Sequence, residues 1–334
     1  MDDFLCFTDI GTWQNYGIFS DEEQITEQLN NMFETPLEND NGNINLIYTK
    51  KIAKMNEYIE SVSKKISVID TTLSIEDEIY YTSKIEGAKT TRERTSEIHN
   101  GASIDKNNEY SERMVKNGFE ATKLMNLYGN SLDHKKLRKI WDVLTDRCCD
   151  NQDIKGTLYR SGTIYVGRHE GSNYKNIPNH MDKLINFYNS TLYDEVPFIK
   201  AAIIHYAFEN IHPFCDGNGR MGRLLMNNYL ISRGIESARA VSFSMQIDKD
   251  RLKYDVTFID AENKYNDCTP FVEYMLEAIA ESYMLAERVQ EITSRTVDND
   301  LEKAQEKCNK SQCIKNKENM HIKTQTDYRL KKNR

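Results

Sequence analysis

The stretch Ile211-His212-Pro213-Phe214-Cys215-Asp216-Gly217-Asn218-Gly219-Arg220-Met221-Gly222-Arg223 constrains this chain more than any other. It places an imidazole, a carboxylate, a glycine-rich turn and two arginines in one short run. Residues 198–208 before it are apolar on nearly every side of a helix (Ile199, Ala201, Ala202, Ile203, Ile204, Tyr206, Ala207), the pattern of a helix buried in a core. Pro213 ends that helix, because it has no N–H and disfavours the α conformation at its predecessor. Beyond Gly219 the spacing of Met221, Leu224, Leu225, Leu230 and Ile231 is helical again. Residues 216–219 are therefore expected to form a tight loop that opens onto a helix N-terminus.

Such a loop binds anions, since free backbone N–H groups and the positive end of the helix dipole converge there and glycine permits close approach. Arg220 and Arg223, three apart, are expected on one side of the new helix, where both reach a polyphosphate. Asp216 is placed to hold a Mg²⁺ bridging the same phosphates. His212 stands at the mouth with a side chain that takes a proton near neutral pH. Residues 217–222 also match the GxGxxG dinucleotide fingerprint, with Glu236 further on, but that fingerprint needs a strand before the glycines. A proline-terminated helix precedes them here, and no βαβ pattern surrounds them.

Upstream, residues 1–43 look irregular, with an Asn/Asp/Gly loop over 39–43. A helix is expected from Asn45, because Tyr48, Ile52, Met55, Ile59, Val62 and Ile66 form one stripe; it is read as laid on the core rather than as a coiled coil. A second helix, 73–87, has Ser74 as its expected N-cap and Gly87 as its stop. Ile75, Ile79, Thr82 and Glu86 share one stripe, which would turn Glu86 inward, where a carboxylate needs a cation. The pattern alone equally allows Ile85 to carry the apolar face and Glu86 to be solvated. Residues 90–150 are expected to be helical, broken at Asn100-Gly101 and Gly129-Asn130, with Trp141 in the core and His99 and His134 at the surface. Residues 156–178 carry short β-type runs cut by glycines, a β-hairpin with Gly171-Ser172-Asn173 as a turn. A last amphipathic helix follows at 267–288 (Phe271, Met275, Ile279, Met284), then a polar Lys-rich tail without periodicity.

The run HPFCDGNGRMGR resembles the complete signature of the Fic (filamentation-induced-by-cAMP) family, HPFx(D/E)GNGRxxR, with no position missing. Thr82-Ser83-Lys84-Ile85-Glu86-Gly87 is similar to that family's (S/T)xxxE(G/N) inhibitory motif. The resemblance implies a mainly α-helical Fic-fold bundle with a β-hairpin flap. It implies a protein adenylyltransferase that moves AMP from Mg·ATP to a Ser, Thr or Tyr hydroxyl of a protein. His212 would then be the general base, Phe214 a core anchor and Asp216 the Mg²⁺ ligand. Asn218 and the amides of Gly217 and Gly219 would cradle the α-phosphate, and Arg220 and Arg223 would take the β- and γ-phosphates, within a nucleotide-binding run that includes Met221 and Gly222. Thr82, Glu86 and Gly87 would be inhibitory, Glu86 pairing with Arg223. The flap would pair with the target chain through backbone hydrogen bonds, and its stretch Val166-Gly167-Arg168-His169 would also touch nucleotide. Tyr254 and Asn263 fall where relatives line the adenine, although Asp255 replaces a second tyrosine. Self-modification and a homodimer are both compatible with the family. The alternatives are an enzyme that also or mainly removes AMP, one that transfers another phosphate-containing group, and a silent binding module.

These readings divide the chain into a helical and irregular N-terminal cap (1–72), a Fic domain (73–290) with inhibitory helix 73–87 and flap 156–178, and a disordered tail (291–334). The 334 residues suffice for a sizeable core. A net charge of −8 argues against nucleic acid as a partner. No run of about 18 apolar residues is present and the acidic N-terminus lacks a signal peptide's basic region, so a soluble, cytoplasmic protein without a membrane partner is expected. Seven cysteines without a CxxC pair suit reduced thiols. Cys215 occupies the variable position of the signature and is read as filler, and Cys148-Cys149 as buried inert thiols.

Overall fold

The protein is described from a computed structural model, which covers residues 32–68, 72–129, 131–149, 157–167, 169–263 and 266–295. The chain divides into two compact units, 1–286 and 287–334. In the first, strands β1 (Met32–Asn39) and β2 (Gly42–Ile47) form an antiparallel hairpin that turns at 40–41, and helix α1 (Lys50–Ser63) follows. The helix expected from Asn45 therefore starts later. Ile44, Asn45, Leu46 and Ile47 are all buried, as in a strand covered on both faces, and Thr49 caps α1 by accepting the Ile52 N–H at 3.1 Å. The hairpin is tied to the rest of this unit: Asn45 N–H bonds Asn266 O (2.9 Å), and Asn39 Nδ2 donates to Asn210 Oδ1 (2.6 Å) beside the signature.

Helices α2 (Thr72–Ile85), α3 (Arg92–His99), α4 (Glu109–Tyr128) and α5 (His134–Leu144) come next. The breaks fall at Gly101 and Gly129, both at positive φ as C-terminal stops require. Helix α2 begins before Ser74, which is therefore not its cap, and ends at Ile85, so Glu86 and Gly87 lie in the turn beyond it. The flap ladder is shorter than expected: β3 (Tyr165–Val166) pairs with β4 (His169–Glu170) around Gly167 (φ 62°), and Gly171-Ser172-Asn173 is not its turn. The end of the expected flap belongs to α6 (Ile177–Asn189), which starts with proline in its first turn.

Helix α7 (Pro197–Ile211) is buried along almost its whole length and packs against α6, β1 and α8 (Asn218–Ser232). Then come α9 (Phe243–Lys249), α10 (Arg251–Asn263) and a last helix from 269 to the end of this unit. One hydrophobic core joins α1, α5–α8 and the last helix; a small satellite of Ile79, Ile98, Val115 and Phe119 joins α2, α3 and α4. Helix α2 is thus seated by Ile79 in this cluster and by Ile85 in the main core. It is also tied to α9 by Glu78, which accepts the Ser244 N–H at 3.0 Å, and by Lys84–Asp248 at 2.6 Å. In the second unit residues 287–295 are helical; the rest of the expected tail lies outside the described residues. No helix among the described residues is long and apolar enough to cross a membrane.

Candidate active site

Helix α7 stops where its apolar run stops. His212 takes the left-handed conformation (φ 51°, ψ 61°) and its N–H bonds Phe208 O at 3.0 Å. A left-handed histidine is uncommon, so the surroundings must hold it there. They do so from both sides. Phe214 is wholly buried and stacks on Trp141 at 4.9 Å. Trp141 Nε1–H donates to Asp216 O at 2.8 Å. Asn218 closes the loop on itself: its Oδ1 accepts the Phe214 N–H (3.0 Å) and its Nδ2 donates to Phe214 O (2.9 Å). That side chain therefore shapes the loop with both of its ends. Gly217 (φ 75°) then starts α8, whose first amides are without helical partners.

His212 is 8 % exposed. Its Nδ1 lies 3.2 Å from Glu209 O, which fixes the proton on Nδ1 and leaves the lone pair on Nε2. Burial, with His169 and Arg160 nearby, pushes its pKa down to about 4 despite the Glu209 bond, so the ring is a neutral base across the physiological range. The Glu209 carboxyl on the same helix is pushed up to about 8 by burial.

The two arginines diverge instead of sharing a side. Arg220 Nη1 donates to Leu144 O (3.2 Å), and its Nη2 is 3.9 Å from the Asp216 carboxylate. Arg223, 2 % exposed, turns to α2: Nε donates to Thr82 Oγ1 (2.8 Å) and Nη2 to Glu86 Oε1 (2.7 Å). The inward stripe thus brings Thr82 and Glu86 to the signature. Burial raises the Glu86 carboxyl pKa, but Arg223, with Arg220 and Arg251, more than offsets this and holds it below the usual carboxylate range. A Cβ on Gly219 would collide with Glu86 Oε1. The glycine lets this carboxylate sit against the first turn of α8, the place an anion takes at a helix N-terminus.

The remaining expected residues fall unevenly. Met221 is core, and Gly222 leaves room for the Glu209 carboxyl. On the flap, Tyr165 and Val166 are exposed, whereas His169 is buried with Nε2 3.0 Å from Asn210 O. Tyr254 is buried against Phe271, its hydroxyl 3.1 Å from His205 Nε2. Arg168 and the Asn263 side chain lie outside the described residues. His99 and His134, expected at the surface, are half-buried and partnered: His99 Nδ1 with Glu76 (2.8 Å), His134 with Tyr159 (2.6 Å) and Asp182 (2.7 Å).

Arg160 was not singled out by the sequence, yet it holds the loop. Its N–H bonds Pro213 O (3.0 Å), Nε donates to His212 O (2.7 Å) and Nη2 to Ser172 O (2.5 Å). One buried guanidinium thus joins the flap segment to the backbone of His212. Arg160→Met leaves at least two buried carbonyls without donors and should lower stability by about 2–4 kcal/mol. Urea unfolding measures this, and a loss under about 1 kcal/mol would deny Arg160 the role.

Among the described residues no cluster of three or more His, Cys, Asp or Glu could hold a metal. Asp216 is one carboxylate, 30 % exposed, with Oδ1 accepting the Gly217 N–H at 2.5 Å. That suits Mg²⁺, which keeps its waters and is bound by one or two carboxylates together with substrate phosphates.

Comparison with known proteins agrees with this geometry. Residues 131–230 match the model of the Fic/DOC family. The chain is 27 % identical over 247 residues to "Protein adenylyltransferase Fic" of Aedes aegypti, covering 68 % of this chain and 46 % of that protein. It is 31 % identical over 209 residues to the protein of the same name from Drosophila ananassae, covering 60 % and 39 %. The match thus spans less than half the length of these relatives. Its fold is similar to that of a Fic family protein from Desulfovibrio desulfuricans G20, with a TM-score of 0.64 and 24 % identity over 77 % of this chain and 78 % of that one. The mainly α-helical architecture with its small hairpins is that of the Fic fold, and residues 131–230 are what match the Fic/DOC family.

Proposed function

We propose that the protein transfers AMP from Mg·ATP to a hydroxyl of a protein, and that Glu86 represses this activity. The observation that carries the reading is the single loop that presents a neutral, buried His212, the N-terminus of α8 and the Asp216 carboxylate together. His212 Nε2 takes the proton of the target hydroxyl as its oxygen attacks the α-phosphorus in line, the bond from that phosphorus to the bridging oxygen breaks, and pyrophosphate leaves. The amides at the start of α8 and the buried arginines offset the phosphate charge, so catalysis is mostly positioning and electrostatics. Asp216, with its carboxylate partly exposed, would hold Mg²⁺, which supplies charge neutralisation on the polyphosphate when bound. The names of the relatives support the same reaction.

The test is incubation with labelled ATP. Label from the α-position should enter protein, self-modification included, whereas label from the γ-position should not. Label entering from the γ-position, or none from either with Glu86 removed, overturns the assignment.

The target is proposed to dock by its backbone on the exposed flap edge at Tyr165 and Val166. Tyr165→Pro takes an N–H from that edge and should cut target modification roughly tenfold while ATP affinity stays within about twofold. Equal loss of ATP affinity, measured by calorimetry, would make the flap a nucleotide element.

A further inference from the structure

We propose that Cys149 and Cys215 form an oxidation site: peroxide converts the two thiols into a disulfide that ties the signature loop to the segment after α5. Cys148, Cys149, Cys215 and Cys268 are all thiols here. The Cys215 thiol is in hydrogen-bond contact with that of Cys149, although the two residues come from different parts of the chain. Cys149 is buried at the edge of the core and Cys215 is half-buried. Their approach is built in, because the residues on both sides of Cys215 are fixed to α5: Phe214 by stacking on Trp141, and Asp216 by the Trp141 hydrogen bond. The neighbouring Cys148 faces elsewhere, with its Sγ 3.4 Å from Leu144 O and from Asn117 Nδ2.

The chemistry follows from exposure. Cys215, the more accessible sulfur, attacks the peroxide; the O–O bond breaks, the leaving hydroxide departs as water with the Cys215 proton, and a sulfenic acid forms. The Cys149 sulfur then attacks the Cys215 sulfur, the S–O bond breaks, and water leaves with the Cys149 proton. The balance is two thiols and one peroxide giving a disulfide and two waters. A covalent bond in place of a hydrogen-bond contact draws the loop toward the end of α5. Asp216 and Arg220, which bonds Leu144 O in that same segment, move with it. The effect on activity rests on the proposed AMP transfer; the oxidation does not.

The experiment treats the full chain with hydrogen peroxide, traps remaining thiols, and maps the peptides by mass. The expected product is a Cys149–Cys215 cross-linked peptide about 2 Da lighter than the two thiol peptides, reversed by dithiothreitol. Amide hydrogen exchange over 214–219 should slow in the oxidised form. AMP transfer should fall about tenfold and recover on reduction. Cys149→Ser should abolish the cross-link and the reversible loss, each variant compared with itself before peroxide. A Cys148–Cys149 bridge, no bridge to Cys215, or a bridge with unchanged exchange over 214–219 overturns the proposal. A reduced protein that bridges as described but transfers no AMP would speak against the proposed activity and leave the oxidation site standing.

Discussion

His212→Ala will leave a folded protein whose AMP transfer falls by about 10²–10⁴-fold, the usual effect of removing a general base. The fold should survive because the left-handed turn is held by its neighbours: Arg160 on the His212 carbonyl, Phe214 in the core and Asn218 across the loop. The same environment sets the pH dependence. With its pKa pushed down to about 4, His212 is unprotonated at neutral pH, so transfer should stay flat on the acid side and fall only as pH drops toward that value. Stability follows the same sign. The folded pKa lies below the ordinary imidazole value of about 6.5, so the unfolded chain binds more protons between the two. The contribution is whole above about pH 6.5 and is lost as pH falls through about 4, and His212→Ala should remove that part of the acid sensitivity. Initial rates against pH, with circular dichroism as the control, read both effects. Transfer within about threefold of the parent would remove His212 from the role of base.

The loop was legible because its causes are local. A proline, two glycines and an asparagine act on backbone within a few residues, and an apolar run long enough to be a core helix leads into them. Glu86 was legible only as an alternative, since a stripe of Ile75, Ile79 and Thr82 says which way a side chain points and not what waits there. The N-terminal hairpin was obscured because Tyr48 and Ile52 read as the start of a helical stripe, while residues 44–47 are buried on both faces of the strand and show no alternation. Arg160 left no trace at all. Its partners are carbonyls of His212 and Ser172, groups that every residue possesses and that only tertiary structure leaves in need of a donor. The Cys149–Cys215 approach is of the same kind: the thiols are visible in the sequence, but their meeting depends on how α5 packs against the loop. The contacts of Tyr254, its hydroxyl on His205 and its ring against Phe271, are likewise ones that only tertiary structure brings together.

Glu86→Gly should raise AMP transfer, self-modification included, by roughly 10- to 100-fold. The carboxylate lies against the first turn of α8 at Gly219 and holds Arg223 Nη2 at 2.7 Å, so it uses the dipole and the guanidinium that a terminal phosphate would need. The two anions compete for one place, and ATP seated beside Glu86 would have its phosphates displaced from in-line geometry. Each tenfold of repression requires about 1.4 kcal/mol of preference for the closed pair. One charge-assisted contact of a carboxylate with a buried arginine can supply one or two such factors, less what the 26 % exposure of the Glu86 side chain loses to solvent. Arg223 should keep its orientation in the variant, because Thr82 still accepts from its Nε at 2.8 Å and the satellite cluster still seats α2. Arg223→Ala should not activate, since it removes the partner of the phosphate together with that of the inhibitor. AMP incorporation from α-labelled ATP in the parent, Glu86→Gly and Glu86→Gly/His212→Ala reads the effect, and only the first variant should gain. A folded Glu86→Gly protein no faster than the parent would reduce the Glu86–Arg223 pair to a structural ion pair at the end of α2.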